Sequence, residues 1–271
     1  MNEKGKAGHL EEWLISRLQH RIKKVTENIE TLKTRTAIEN AFYEIWNDFR
    51  WYKRRKEESH TKTLKEALEI WTRMLAPFIP YVCEEIWNKT KKEGFIALAE
   101  WPTFDEKKVN IKAEEIETLV ANVLDDTSNI LRATKMTPKQ ICYYSAASWK
   151  WKIYLKALEK SIATKIVLSE FMKELMKELM KDSELHKMAE KVAKFASQTI
   201  VEINEMPEEN KRRQLQIEIM DEEETLTEAI KFFKKEFNAK ISIYREDDPK
   251  RYDPKKRAEL ARPYRPAIYI E

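Results

Sequence analysis

Apolar residues return at three- and four-residue spacing through the first half of the chain, a period that admits amphipathic helices and little else. Leu14, Leu18, Ile22, Val25, Ile29 and Leu32 make a six-position seam, which predicts a helix from about Leu10 to Leu32. Thr34 or Thr36 then caps a second helix whose inward stripe reads Ile38, Ala41, Phe42, Ile45, Trp46 and Phe49. Leu64, Leu68, Trp71 and Leu75 predict a third over Thr61–Leu75. A fourth runs from Pro80 to about Lys92, with Gly94 as its left-handed cap. Ile116, Leu119, Val120, Val123, Ile130 and Leu131 predict a fifth over Ala113–Ala133. Only three glycines interrupt 271 residues, so tight turns are few. The first half is therefore expected to be an antiparallel helical bundle.

The corner between helices three and four is the most specific stretch. Leu75–Trp87 reads Leu-Ala-Pro-Phe-Ile-Pro-Tyr-Val-Cys-Glu-Glu-Ile-Trp. Pro77 and Pro80 each lack a backbone donor and push Ala76 and Ile79 away from helical dihedrals. Pro80 suits the first turn of the next helix, where Glu84 and Glu85 are expected to favour the positive end of its dipole. Cys83, Ile86 and Trp87 then face the core, and Phe95–Phe104 is expected to run extended across the bundle.

After the fifth helix the pattern changes. Gln140–Ser145 reads as a strand, and a helix begins near Ser148. Helical patterns occupy roughly Ile166–Met180 and Glu184–Ile203 until Met206-Pro207 breaks the run. The stripe Met172, Leu175, Met176, Leu179 and Met180 reads as adaptable core. A helix over Glu223–Phe237, the strand Lys240–Arg245, a charged loop and a last strand, Pro266–Glu271, complete a small α/β unit. The expected division is residues 1–134 for the bundle and 135–271 for the α/β domain, with Met1–Gly8 as a leader or a cut end.

Charge is uneven along the chain. Net charge is +4, but between Arg17 and Lys56 eleven Lys/Arg face five Asp/Glu, so the remainder carries −2. Arg17, Arg21 and Lys24 share one helix flank. The second helix ends in Arg50-Trp-Tyr-Lys-Arg-Arg-Lys56, more cations than a helix dipole requires. Cations interleaved with Trp51 and Tyr52 suit phosphate contact and base or sugar stacking; the plain alternative is a solvated basic edge. Cys83 and Cys142 are far apart and the four His have no ligand spacing, so neither a disulfide framework nor a metal site is expected. No apolar run is long enough to span a bilayer. A cytoplasmic protein is expected, with no membrane partner.

Two motifs carry a family resemblance. Trp13-Leu-Ile-Ser-Arg-Leu18 and the proline corner, followed by Trp101-Pro102, resemble signatures of the anticodon-binding helical domain of class I aminoacyl-tRNA synthetases for leucine, isoleucine, valine and methionine. The tail is similar to the C-terminal domain of leucyl-tRNA synthetases of the archaeal and eukaryotic-cytosolic branch. The residues that carry this are Trp149-Lys150, Ile241-Ser-Ile-Tyr-Arg-Glu-Asp247 and Arg262-Pro-Tyr-Arg-Pro-Ala-Ile-Tyr-Ile-Glu271. Neither His-x-Gly-His nor Lys-Met-Ser-Lys-Ser is present, so the resemblance implies a tRNA-binding piece without the adenylation site and without a cofactor of its own. ATP and Mg would serve the rest of the enzyme. Ser16, Ser145 and Ser148 have no neighbouring His in sequence, and Glu84 and Glu85 point apart on a helix.

On this reading Arg17, Arg21, Lys24, Arg50, Lys53, Arg54, Arg55 and Lys56 hold phosphates of the core or anticodon stem of tRNA-Leu, with Trp51 stacking among them. Arg262, Tyr264, Arg265, Tyr269, Ile270 and Glu271 would read its long variable arm, as the resemblance implies. The alternatives are the same region of an isoleucyl or valyl enzyme, and a module that docks other proteins.

Overall fold

A computed structural model describes residues 8–56, 58–179 and 188–271. The leader up to Ala7, Met180 of the methionine stripe and the expected helix start at Glu184 lie outside these residues. The chain divides into two compact units, Met1–Glu117 and Thr118–Glu271, so the division falls inside the fifth expected helix.

The first unit is the bundle. Helix α1 spans His9–Glu30 and buries Leu14, Leu18, Ile22 and Val25. Leu32 does not join that seam: it is 84% exposed, because it turns left-handed (φ +56°) and closes the helix in place of a glycine. The second expected helix is interrupted. A short α2 (Thr34–Ile38) opens into a π-helical turn, Glu39–Glu44, before α3 (Ile45–Arg55). The wider turn shifts the phase, so Ala41 and Ile45 are buried while Phe42 and Trp46 lie exposed, against the expected stripe.

Helix α4 spans Thr61–Leu75 and α5 Pro80–Lys89, with Pro80 the first helical residue. Glu84 therefore sits beyond the first turn, and its carboxylate accepts the Ile96 N–H at 2.9 Å instead of serving the dipole. Lys91 (φ +56°) closes this helix, with Gly94 further on in the loop. The connector crosses α1 as expected: the Trp101 indole donates to Thr26 Oγ1 at 2.8 Å and the Asp105 N–H to Gln19 at 2.8 Å. It contains one 3-10 turn, Ile96–Leu98. Helix α6 runs Ile111–Thr134.

The second unit is built on three strands, β1 (Gln140–Ser145), β2 (Lys240–Arg245) and β3 (Ala267–Ile270), in the order β2-β1-β3. β1 is central, parallel to β2 with Gln140 opposite Lys240, and antiparallel to β3 with Ile141 opposite Ile270. Both faces of β1 are covered, Tyr143 meeting Thr127 and Phe233 while Cys142 and Tyr144 pack with Ala258 and Ala261, so Ile141–Ser145 are buried without alternation. Helix α7 (Ser148–Ala163) packs with α8 (Leu168–Leu179) and α9 (Ala189–Glu205) around Phe171, Leu175, Phe195 and Ile200. Leu175 is core, but Met176 is 39% exposed, so the methionine stripe is only partly buried. A helix not evident in the sequence, α10 (Glu208–Ile217), follows the Met206-Pro207 break. The next expected helix is two, α11 (Glu222–Glu228) and α12 (Ile230–Phe237), the second closed by a left-handed Asn238.

Candidate nucleic-acid interface

In the first unit the basic residues divide by helical phase. Glu117 sits in the stripe Ala113, Glu117, Val120 and Leu124 of α6, all buried. Its carboxylate accepts from Arg55 Nε (2.8 Å) and Nη2 (2.9 Å) and from the Trp51 indole (2.8 Å), and pairs with His9 Nε2 at 2.9 Å. Burial pushes its pKa up, but hydrogen bonds from His9 and Arg55 outweigh that and hold it at about 2. Asp48 likewise takes Arg17 Nε (3.2 Å) and Arg21 Nε (2.9 Å), and Glu44 accepts from Arg21 Nη2 at 2.9 Å. Glu11 takes the Lys56 ammonium and the Tyr52 hydroxyl.

This corrects the expected phosphate face. Arg21 and Arg55 have side chains only 6% and 4% exposed, so they tie α1, α3 and α6 together and are not presented to a ligand. Arg17 and Lys56 are half-buried in the same networks, and Trp51 stacks into the core with its N–H turned inward. The cations on the outside are Lys24, Arg50, Lys53 and Arg54. A charged residue on an apolar stripe, such as Glu117 or Asp48, was the sequence signal for the inward half; buried carboxylates require cationic partners. Ser16 is also internal, donating to Glu114, which His20 contacts at 2.9 Å.

In the second unit the tail folds into a hairpin. Arg262 and Arg265 exchange backbone hydrogen bonds (3.1 and 2.9 Å) around Pro263-Tyr264, and Tyr264 takes a left-handed φ of +63°. Buried Glu222 holds this turn: one carboxylate oxygen accepts the Tyr264 N–H at 2.7 Å, the other the Ala146 N–H at 2.9 Å. Burial pushes the Glu222 pKa up to about 7, against those two donors. The Tyr264 ring packs edge-on against Trp151, 5.2 Å between centroids. Buried Lys150 fastens the preceding loop, donating to the Glu259 and Ala261 carbonyls at 2.8 and 2.6 Å and pairing with Glu246 at 2.7 Å.

The hairpin opens onto a cleft of about 600 Å³ lined by Arg257, Arg262 and Arg265 with Asn129, Asp126 and Glu202. Arg262 is paired with Glu202 and donates to Gln198 at 3.0 Å, whereas Arg257 and Arg265 are exposed. Arg257 was missed in sequence because it lies in the charged loop. Of the expected readers Tyr264, Tyr269, Ile270 and Glu271, only the buried Tyr269 is withdrawn from solvent; Tyr264 and Ile270 are half-buried and Glu271 is exposed. Tyr264 is half-buried on Trp151, Tyr269 is 9% exposed, and Ile270 pairs with Ile141 in the sheet. The Glu271 carboxylate accepts from the Tyr252 and Tyr269 hydroxyls at 2.9 and 3.1 Å. Tyr269 and Ile270 lie in the edge strand β3, and the rings of Tyr264 and Tyr269 pack against Trp151 and Tyr252.

Among the described residues no three His, Cys, Asp or Glu side chains converge as a metal site, and no helix is long and apolar enough to cross a membrane.

Residues 11–143 match the family model described as the anticodon-binding domain of tRNA ligase. The similarity extends beyond that domain into the tail: the chain is 38% identical over 97% of its length to the leucine–tRNA ligase of Methanococcoides burtonii, of which it covers 26%. It is 36% identical over 97% to the leucine–tRNA ligase of Pyrococcus abyssi, covering 25% of it. Against that of Methanosarcina mazei it is 34% identical over 99%, covering 28%. The chain thus spans about a quarter of the length of the relatives it matches. Helices α1, α3 and α6, joined by the Glu117 and Asp48 networks, thus lie within or across the stretch that matches this family model, and the arginine cleft lies in the second unit.

Proposed function

We propose that this protein is the tRNA-holding region of a leucine–tRNA ligase and takes tRNA-Leu as its ligand. The observation that carries this reading is similarity to leucine–tRNA ligases along 97% of the chain, tail included, and not in the anticodon-binding domain alone. That continuity favours leucine over the isoleucine and valine enzymes. Aminoacylation, with ATP and Mg, belongs to the larger part of such a ligase that this chain does not cover. Lys24, Arg50, Lys53 and Arg54 supply sequence-independent phosphate contacts, and the Arg257–Arg262–Arg265 cleft supplies the discriminating one, on the backbone and loop of a long variable arm.

Two outcomes follow. Neutralising Arg50, Lys53 and Arg54 together is expected to weaken binding of every tRNA and to lower the log–log salt slope by roughly one unit for each phosphate no longer neutralised. A filter-binding series in salt measures it; an unchanged slope rules out phosphate binding by these three. Deleting the last strand would break the sheet, so the cleft is tested instead by R257Q/R265Q, both exposed positions. Competition between tRNAs that differ only in the variable arm should then show no preference, whereas the unaltered protein prefers the long arm. Retained preference in the variant assigns discrimination elsewhere. A protein that fails to hold bulk tRNA even at low salt is a protein-docking module instead.

A further inference from the structure

The π-helical turn leaves an aromatic surface in the first unit that neither the core nor the networks above account for. Phe42, Tyr43 and Trp46 are 38%, 60% and 49% exposed, and their rings are not isolated. Trp46 and Phe42 lie 6.2 and 6.3 Å from the Trp71 ring, which also packs on Phe49 at 5.1 Å. Tyr43 stands edge-on to Phe42 at 5.2 Å. Trp71 is fixed in turn, because its indole donates to the Ala41 carbonyl inside the π turn at 2.7 Å. The platform is thus braced from below before any ligand arrives, so little side-chain entropy remains to be lost on binding.

Charge decides what such a platform suits. Trp46, Arg50 and Lys53 follow one another at four- and three-residue spacing on α3, which places them on one outward face. The acids of this segment are directed elsewhere: Glu44 and Asp48 pair with Arg21, and Glu39 pairs with Arg35. An exposed indole flanked by two cations and no carboxylate on its own helix face is the combination that holds single-stranded nucleic acid, the ring taking a base and the cations its phosphates. A surface for another protein would carry depleted charge at its centre.

We propose that Trp46, with Tyr43 beside it and Arg50 and Lys53 along its edge, is a stacking platform for an unpaired nucleobase of bound RNA. This rests on the tRNA-holding reading given above and adds a site to it. The test compares W46F, which keeps a π face, with W46L, which keeps only bulk. Probes are a tRNA-Leu transcript and a blunt RNA duplex that has phosphates but no unpaired base. Loss of one stacked base is worth about 1–3 kcal/mol, so W46L should bind the transcript roughly 5- to 150-fold more weakly at an unchanged salt slope. W46F should stay within about threefold of the unaltered protein, and neither variant should change duplex binding. Y43L, at a more exposed position, should show a smaller loss of the same kind, and it serves if W46L melts early. The platform is overturned if W46L and Y43L bind the transcript like the unaltered protein, or if they weaken the duplex equally. It is also overturned if W46L alters only self-association, the mark of a protein-docking face. If the unaltered protein holds no tRNA, the parent reading fails; if it does and these variants match it, only the platform fails.

Discussion

Glu117→Gln is expected to lower the stability of the first unit by about 3–5 kcal/mol, the cost of leaving a buried charge without its partner. Arg55 is only 4% exposed and faces Glu117 through two nitrogens, so the substitution takes a negative charge from beside a buried guanidinium. Glutamine keeps one carbonyl oxygen, so its NH2 faces either the Trp51 indole, which contacts Oε2, or His9, which contacts Oε1. Against a typical total of about 5–15 kcal/mol, this is roughly a fifth or more of what keeps a domain folded. The double variant R55M/E117Q should recover much of the loss, because a buried pair replaced by apolar groups often costs little. Urea unfolding followed by tryptophan fluorescence measures both variants. A loss below about 1 kcal/mol for E117Q would show that solvent reaches Arg55 and that this network is not what joins α1, α3 and α6.

Stability of the two units is expected to depend on pH with opposite sign. In the first, Glu117 is held at about 2, and Glu11 is also lowered, since the Lys56 and Tyr52 hydrogen bonds outweigh its burial. A carboxylate depressed on folding contributes stability above its ordinary value, near 4.5, and loses it as pH falls toward 2. In the second unit, burial raises Glu222 to about 7 and raises Glu246 as well. There the folded state binds more protons than the unfolded chain between about 4.5 and 7, so stability falls as pH rises through that window. For Glu222 alone the difference amounts to about 3 kcal/mol between pH 4 and pH 8. The turn it anchors, Arg262–Arg265, should loosen first, seen as faster amide exchange at Tyr264 and Ala146 at pH 8 than at pH 5 once intrinsic rates are removed. Equal protection at both values would mean that Glu222 is charged throughout and fully compensated by its two backbone donors.

Periodicity was a reliable guide where a helix has one apolar face and one solvated face. It placed α1, α4, α6 and the corner at Pro77–Pro80 to within a few residues, and the Gln140–Ser145 and Lys240–Arg245 strands by their own boundaries. It failed at Phe42 and Trp46 because a π turn changes the angular step per residue, and an assumed constant step then assigns the wrong face. It also counted cations without regard to phase. Arg50 through Lys56 reads as one basic run, yet Arg55 and Lys56 turn inward to Glu117 and Glu11 while Arg50, Lys53 and Arg54 stay outside. The carboxylates that make this choice are remote in sequence, 62 residues away for Glu117.

In the second unit the difference is of the same kind. A tail of arginines, aromatics and a terminal carboxylate looks like a ligand-reading strip when only composition is available. Strand pairing with β1 turns Tyr269, Ile270 and Glu271 into part of a sheet and leaves Arg265, with Arg257 from the loop, facing the cleft.

The amino-acid sequence by itself determined α1, α4, α6, the proline corner and the strands Gln140–Ser145 and Lys240–Arg245, because apolar period and proline placement are local properties. Only the tertiary structure decided which charges pair with one another inside the fold and which side chains stay exposed. A cation's availability depends on the carboxylate that the fold brings beside it and on the water that the fold removes.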